Sequence, residues 1–115
     1  MEFTLRFIRV FFIELIYAAP VLMSLVLLIS IIGYAIGRKE GWSRLDTFYH
    51  AFINATTVGY GDLRPTKKLS KLLAVSNALV GLVFTGIIVA IGLHAADYAF
   101  NSVYDTSKLI QWTEE

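Results

Sequence analysis

The chain has 115 residues, 57% hydrophobic and 17% charged, with ten Lys and Arg against nine Asp and Glu. A single small domain cannot hide so apolar a composition inside a water-soluble globule, because its surface-to-volume ratio is too high. The net charge of +1 argues against a nucleic-acid binder, and a sequence without Cys excludes disulfides, thiolate metal sites and cysteine nucleophiles.

Residues 1–15 set Glu2, Arg6 and Arg9 at near-helical spacing among Phe3, Leu5, Ile8, Phe11, Phe12 and Ile13. The pattern fits either an amphipathic helix at a membrane surface or an extension of the element that follows. That element, residues 16–37, is 22 residues free of Asp, Glu, Lys, Arg and His. At about 1.5 Å per helical residue it reaches ~33 Å, enough to cross a hydrocarbon core of roughly 30 Å. Glu14 interrupts any signal-peptide h-region, and no A-x-A-like cleavage site follows, so the segment reads as a retained transmembrane helix. Pro20 fits a helix restart or a kink that neighbouring groups re-satisfy.

Residues 38–71 hold ten of the nineteen charged residues, yet the middle of this connection is apolar again. Ser43-Arg44-Leu45-Asp46 has the form of a capping box, and Phe48, Tyr49, Phe52 and Ile53 then recur at helical spacing. The cap and the period predict a short helix from about residue 46 to 56, too short to span a bilayer. A segment that enters a membrane and returns carries irregular backbone, which is tolerated only inside protein or along a water-filled path. A second charge-free run of 22 residues, 72–93, completes the pattern as an inner helix reaching residue 97.

After the short helix stands Thr56-Thr57-Val58-Gly59-Tyr60-Gly61-Asp62, the potassium-channel signature. With this motif between a short helix and a second span, the sequence resembles the two-helix, KcsA-type potassium channels from roughly Ile16 to Asp97. The resemblance implies an all-α membrane protein: outer helix, re-entrant pore helix with a selectivity-filter loop at 57–61, and inner helix. It also implies a homotetramer around a central pore. The chemistry of the residue types agrees. Rings of carbonyl oxygens from Thr57, Val58, Gly59 and Tyr60, with the Thr57 hydroxyls innermost, replace the hydration shell of K+, the permeant ligand. Pointing successive carbonyls one way requires alternating backbone conformations, and Gly59 and Gly61 take positive φ without a Cβ penalty. Val58 and Tyr60 then turn outward into surrounding protein. The C-terminal end of the short helix adds partial negative charge that favours a cation. No cofactor is expected, and no enzyme chemistry.

The sequence departs from the KcsA-type pattern behind the filter. Ile53 stands where that type has a Glu, and Tyr49 and His50 replace two Trp, leaving these two to hydrogen-bond Asp62 and Tyr60 or simply to pack. On the inner helix the resemblance assigns Gly81 as a hinge, with helix packing as its alternative. It turns Leu82, Thr85, Val89 and Leu93 toward the cavity, where Leu93 narrows a dewetting gate. Asn77 reads as an internal hydrogen bonder. His94 and Asp97, three apart, form a candidate proton-sensing cluster or mark the end of the span.

Both termini are expected to be cytoplasmic in a multi-pass cell-membrane protein contacting lipid. That orientation leaves three Lys and Arg inside (Arg6, Arg9, Lys108) against seven in the connection, the reverse of the positive-inside rule. Arg64 is expected to ring the outer mouth. The tail, residues 98–115, includes Asn101, Tyr104, Asp105, Lys108, Ile110 and Trp112 and fits a continuing helix, an interfacial helix or a frayed end. The expected function is potassium-selective conduction; the alternatives are a weakly selective cation channel or a non-conducting subunit of another channel.

Overall fold

A computed structural model describes residues 1–104, which form three helices: α1 (Glu2–Glu40), α2 (Arg44–Ala55) and α3 (Lys68–Val103). Among the described residues there is no strand. Asp105, Lys108, Ile110 and Trp112 of the tail lie outside them. α1 and α3 are each long and apolar enough to cross a membrane, and only 11% of the most apolar stretch of each is buried. A core helix of a soluble protein is mostly covered, so these two helices need an apolar solvent.

The N-terminal segment is the extension rather than a separate surface helix, since α1 runs without a break from Glu2 through Pro20. It ends at Gly41, whose φ of 73° lets the Trp42 N–H return to the Gly37 carbonyl at 3.0 Å. This is a Schellman-type stop, which a residue with a Cβ adopts only at a cost. Ser43 then caps α2, its hydroxyl accepting from the Asp46 N–H at 3.2 Å. α2 starts at Arg44 and ends at Ala55, against the expected 46–56.

Two compact units divide the chain. In the first, Pro20–Ile87, the short helix is seated by small residues. Gly33 of α1 meets Ala51, Gly37 meets Thr47, and Gly81 of α3 meets the Ala55 backbone, so that a Cβ at any of the three would collide. Ile29, Ala51 and Ala55 form the buried cluster, with Val80 and Phe84 packed on it. Without water to drive burial, close backbone approach and interhelical hydrogen bonds hold such packing. Two amides supply the bonds: Asn54 Nδ2 donates to the Ala74 carbonyl at 2.8 Å, and the fully buried Asn77 donates to the Ala51 carbonyl at 3.0 Å.

The second unit joins Met1–Ala19 to the part of α3 that starts at Ile88. Phe3, Phe7 and Phe11 stack along α1 with centroids 6.2 and 5.8 Å apart, and the Phe11 ring lies against Gly92 of α3. Ala95 and Ala99 are fully buried. Arg6 Nη1 donates to the Ser102 carbonyl at 3.1 Å, meeting one of the carbonyls left open in the last turn of α3.

Candidate functional site

The signature segment begins where α2 runs out of intrahelical donors. The Thr56 N–H reaches the Phe52 carbonyl at 2.9 Å, the Thr57 N–H reaches Asn54 at 3.2 Å, and the Gly59 N–H folds back to Ile53 at 3.1 Å. The loop thereby caps the helix it leaves, and the helix end fixes where the loop starts. Thr57, Gly59 and Gly61 have φ of 66°, 53° and 82°, so every second residue is left-handed. Glycine accounts for two of these. Thr57 does not have that freedom, and a left-handed non-glycine residue costs roughly 1–2 kcal/mol. Its hydroxyl donates to the Thr56 carbonyl at 2.5 Å. Val58 and Tyr60 are exposed in the single chain, Tyr60 by 70%.

Behind the segment is a cavity of about 160 Å³, lined among others by Tyr49, His50, Ile53, Tyr60 and Asp62. Ile53 brings no side-chain hydrogen bond to it. Tyr49 and His50 do not play matching parts. Partial burial and then the nearby Asp62 carboxylate push the Tyr49 hydroxyl up from its ordinary value. His50 is buried with its ring centroid 4.8 Å from that of Trp42, and its Nδ1 has no hydrogen-bond partner among the described residues. Burial lowers the His50 pKa, opposed by the negative charges of Asp62 and Glu40.

The stretch after Asp62 is tied down twice. Arg64 does not extend freely, because its Nε donates to the Gly61 carbonyl at 3.0 Å. Glu40, at the end of α1, accepts from the Thr66 N–H and hydroxyl, both at 2.8 Å, and from the Lys67 N–H at 3.0 Å. The Lys67 and Thr66 donors hold the Glu40 carboxyl down at about 2 against an ordinary 4.5.

On α3, Leu82, Thr85, Val89 and Leu93 follow one another at helical spacing and all are exposed. Gly81 is buried against α2, where a Cβ would meet the Ala55 backbone. His94 and Asp97 bond different partners. His94 Nδ1 pairs with Glu14 of α1 at 2.5 Å, while Asp97 accepts from Asn101 at 3.4 Å. The contact of Glu14 with His94, the roles of Glu40 and Asn54, and the left-handed conformation of Thr57 are the parts that sequence reasoning passed over. A lone carboxylate in an apolar run marked Glu14 as unusual, whereas nothing local distinguishes Glu40 from its charged neighbours.

The profile of a family described as "Ion channel" matches residues 21–96. Two curated relatives match part of the chain. Two-pore potassium channel 1 of Arabidopsis thaliana is 41% identical over 54 residues, 47% of this chain and 14% of that protein. TWiK family of potassium channels protein 7 of Caenorhabditis elegans is 34% identical over 65 residues, 56% of this chain and 12% of that protein. The matched stretch is thus a small part of each relative's length. No solved structure matches the chain.

Proposed function

Because this chain belongs to the ion-channel family, from its match over residues 21–96, we propose that it assembles as a homotetrameric, potassium-selective channel. The observation that carries the reading is the complete TTVGYGD segment at the C-terminal end of α2, with left-handed backbone at Thr57, Gly59 and Gly61. α2 is then the pore helix, α1 the outer and α3 the inner helix. Four copies surround the axis with successive carbonyl rings from Thr57 to Tyr60, strong enough dipoles to replace K+ hydration and weak enough to release it. The helix C-terminus behind each loop adds negative potential.

Tetramer formation accounts for the exposure of Val58 and Tyr60 and for the uncovered stripe of Leu82, Thr85, Val89 and Leu93. The first pair packs against neighbouring subunits, and the stripe lines the shared cavity. One signature per chain requires closed rotational symmetry to complete a ring. Both termini lie in the cytoplasm in this arrangement, and Arg64 holds positive charge at the outer mouth while bracing Gly61.

The reversal potential of the purified protein in planar bilayers, with potassium on one side and sodium on the other, tests the reading. Reversal near the potassium equilibrium potential is expected. Reversal near zero favours the weakly selective cation channel, for which the cavity beside Ile53 is the specific motive: a loop less braced from behind holds its oxygens less rigidly. Silence of the purified chain at every internal pH supports a non-conducting subunit.

A further inference from the structure

Among the described residues, Asn54 is the one member of α2 that bonds both α3 and the signature segment. Its Nδ2 donates to the Ala74 carbonyl of α3 at 2.8 Å, while its own carbonyl accepts from the Thr57 N–H at 3.2 Å. Thr57, with φ of 66°, is where the alternating backbone begins. Asn54 also lines the cavity behind the segment, beside Tyr60 and Asp62. Asn77 sends a bond the other way, from α3 to the Ala51 carbonyl of α2 at 3.0 Å. Ala51 stands one turn before Asn54, and Ala74 one turn before Asn77. The two amides therefore clasp one face in opposite directions, and a slide of either helix by one turn breaks both bonds. Only the Asn54 half of the clasp continues into the segment.

A carbonyl ring replaces the hydration shell of an ion only if its oxygens are held in place. The Gly59 N–H and the Arg64 side chain tie the loop to the end of α2 and to itself, so where Thr57 stands relative to α3 follows from where the end of α2 is seated. We infer that Asn54 is a positioning residue for the innermost oxygen ring. It acts through Thr57, and its amide donor to Ala74 is what favours potassium over sodium there. The inference rests on the channel reading above. Substitution at position 54 leaves the main-chain carbonyl in place, so any effect on Thr57 arrives through the lost seat on α3. Leu keeps the approximate size of Asn and deletes the donor, whereas Gln keeps the donor on a longer stem.

The test is the melting temperature of the purified full-length protein in detergent as KCl replaces NaCl at constant ionic strength. An ion that binds only the folded state raises melting as it saturates its site. Wild type is expected to melt higher in potassium. Asn54→Leu is expected to raise the half-saturating potassium concentration about fivefold or more, and Asn54→Gln to return it to within about twofold of wild type. Asn77→Leu removes the other interhelical bond, and is expected to lower melting in NaCl as Asn54→Leu does while leaving the half-saturating concentration within about twofold of wild type. An unchanged concentration in Asn54→Leu overturns the inference and leaves the channel reading in place. An equal rise in Asn77→Leu also overturns it, because the effect is then one of packing alone. If Asn54→Leu does not fold, Asn54→Ser, too short to reach Ala74, is expected to show the same rise, and a wild-type value there overturns the inference. Wild type that melts alike in the two salts overturns the potassium-selective reading and the inference together.

Discussion

Glu40 and Thr66 are 26 residues apart in the chain, and the carboxylate of the first accepts both the N–H and the hydroxyl of the second at 2.8 Å. With the adjoining bond from the Lys67 N–H, this ties the end of α1 to the start of α3 across the segment that carries the signature. The bonds require an ionised carboxylate, which is why the Glu40 pKa falls to about 2.

A pH dependence follows from the sign of that shift. A carboxyl whose folded pKa is depressed contributes stability that is fully present above its unfolded value and lost as pH falls through the folded one. The melting temperature of the purified protein is therefore expected to include a component that declines between about pH 4.5 and about 2. Glu40→Gln is expected to melt lower at pH 7 and to lack that component. Parallel acid titrations of the two proteins would sink the assignment.

Gly33, Gly37 and Gly81 seat α2, whereas a Cβ at Gly86 meets open space. Overpacking of this kind costs typically 1–3 kcal/mol. Gly33→Ala and Gly81→Ala are each expected to destabilise the protein within that range in detergent unfolding, and Gly86→Ala to be close to neutral. If Gly81 acts only as a hinge, Gly81→Ala will change gating and leave unfolding untouched.

The Glu14–His94 pair links the two long helices near the chain termini. It is a direct side-chain contact between α1 and α3, a carboxylate on one helix against an imidazole on the other. In single-channel recordings, His94→Gln and Glu14→Gln are each expected to shift the curve of open probability against internal pH. The double variant should shift it no further than the larger single one, because both remove the same interaction. Curves that superimpose on wild type would remove the pair from gating.

Arg64 holds the Gly61 carbonyl at 3.0 Å and keeps a positive charge beside the proposed outer mouth. Arg64→Gln is expected to raise inward current at low salt and to strengthen block by external tetraethylammonium. The difference should shrink at high salt as the field is screened. An equal change at low and high salt would assign the effect to the lost hydrogen bond instead of the charge.

Much of this molecule is local, and what is local was legible in the chain. Two charge-free runs of 22 residues gave the long helices, because a bilayer sets both their length and their polarity. Ser43 announced the start of α2 through a bond to a residue three positions on. Gly59 and Gly61 signalled backbone that other residues avoid. Other features arise only when helices meet. His94 stands three residues from Asp97 but bonds a carboxylate 80 residues away, because the crossing of α1 and α3 brings Glu14 opposite it. Gly33 and Gly37 look like ordinary membrane-helix glycines until Ala51 and Thr47 arrive against them. Thr57 is left-handed because the chain must return its N–H groups to the last carbonyls of α2, a demand of the loop's closure that no propensity for threonine contains. Periodicity and capping report a residue's near neighbours along the chain; which helix faces it, and at what register, is settled by packing alone.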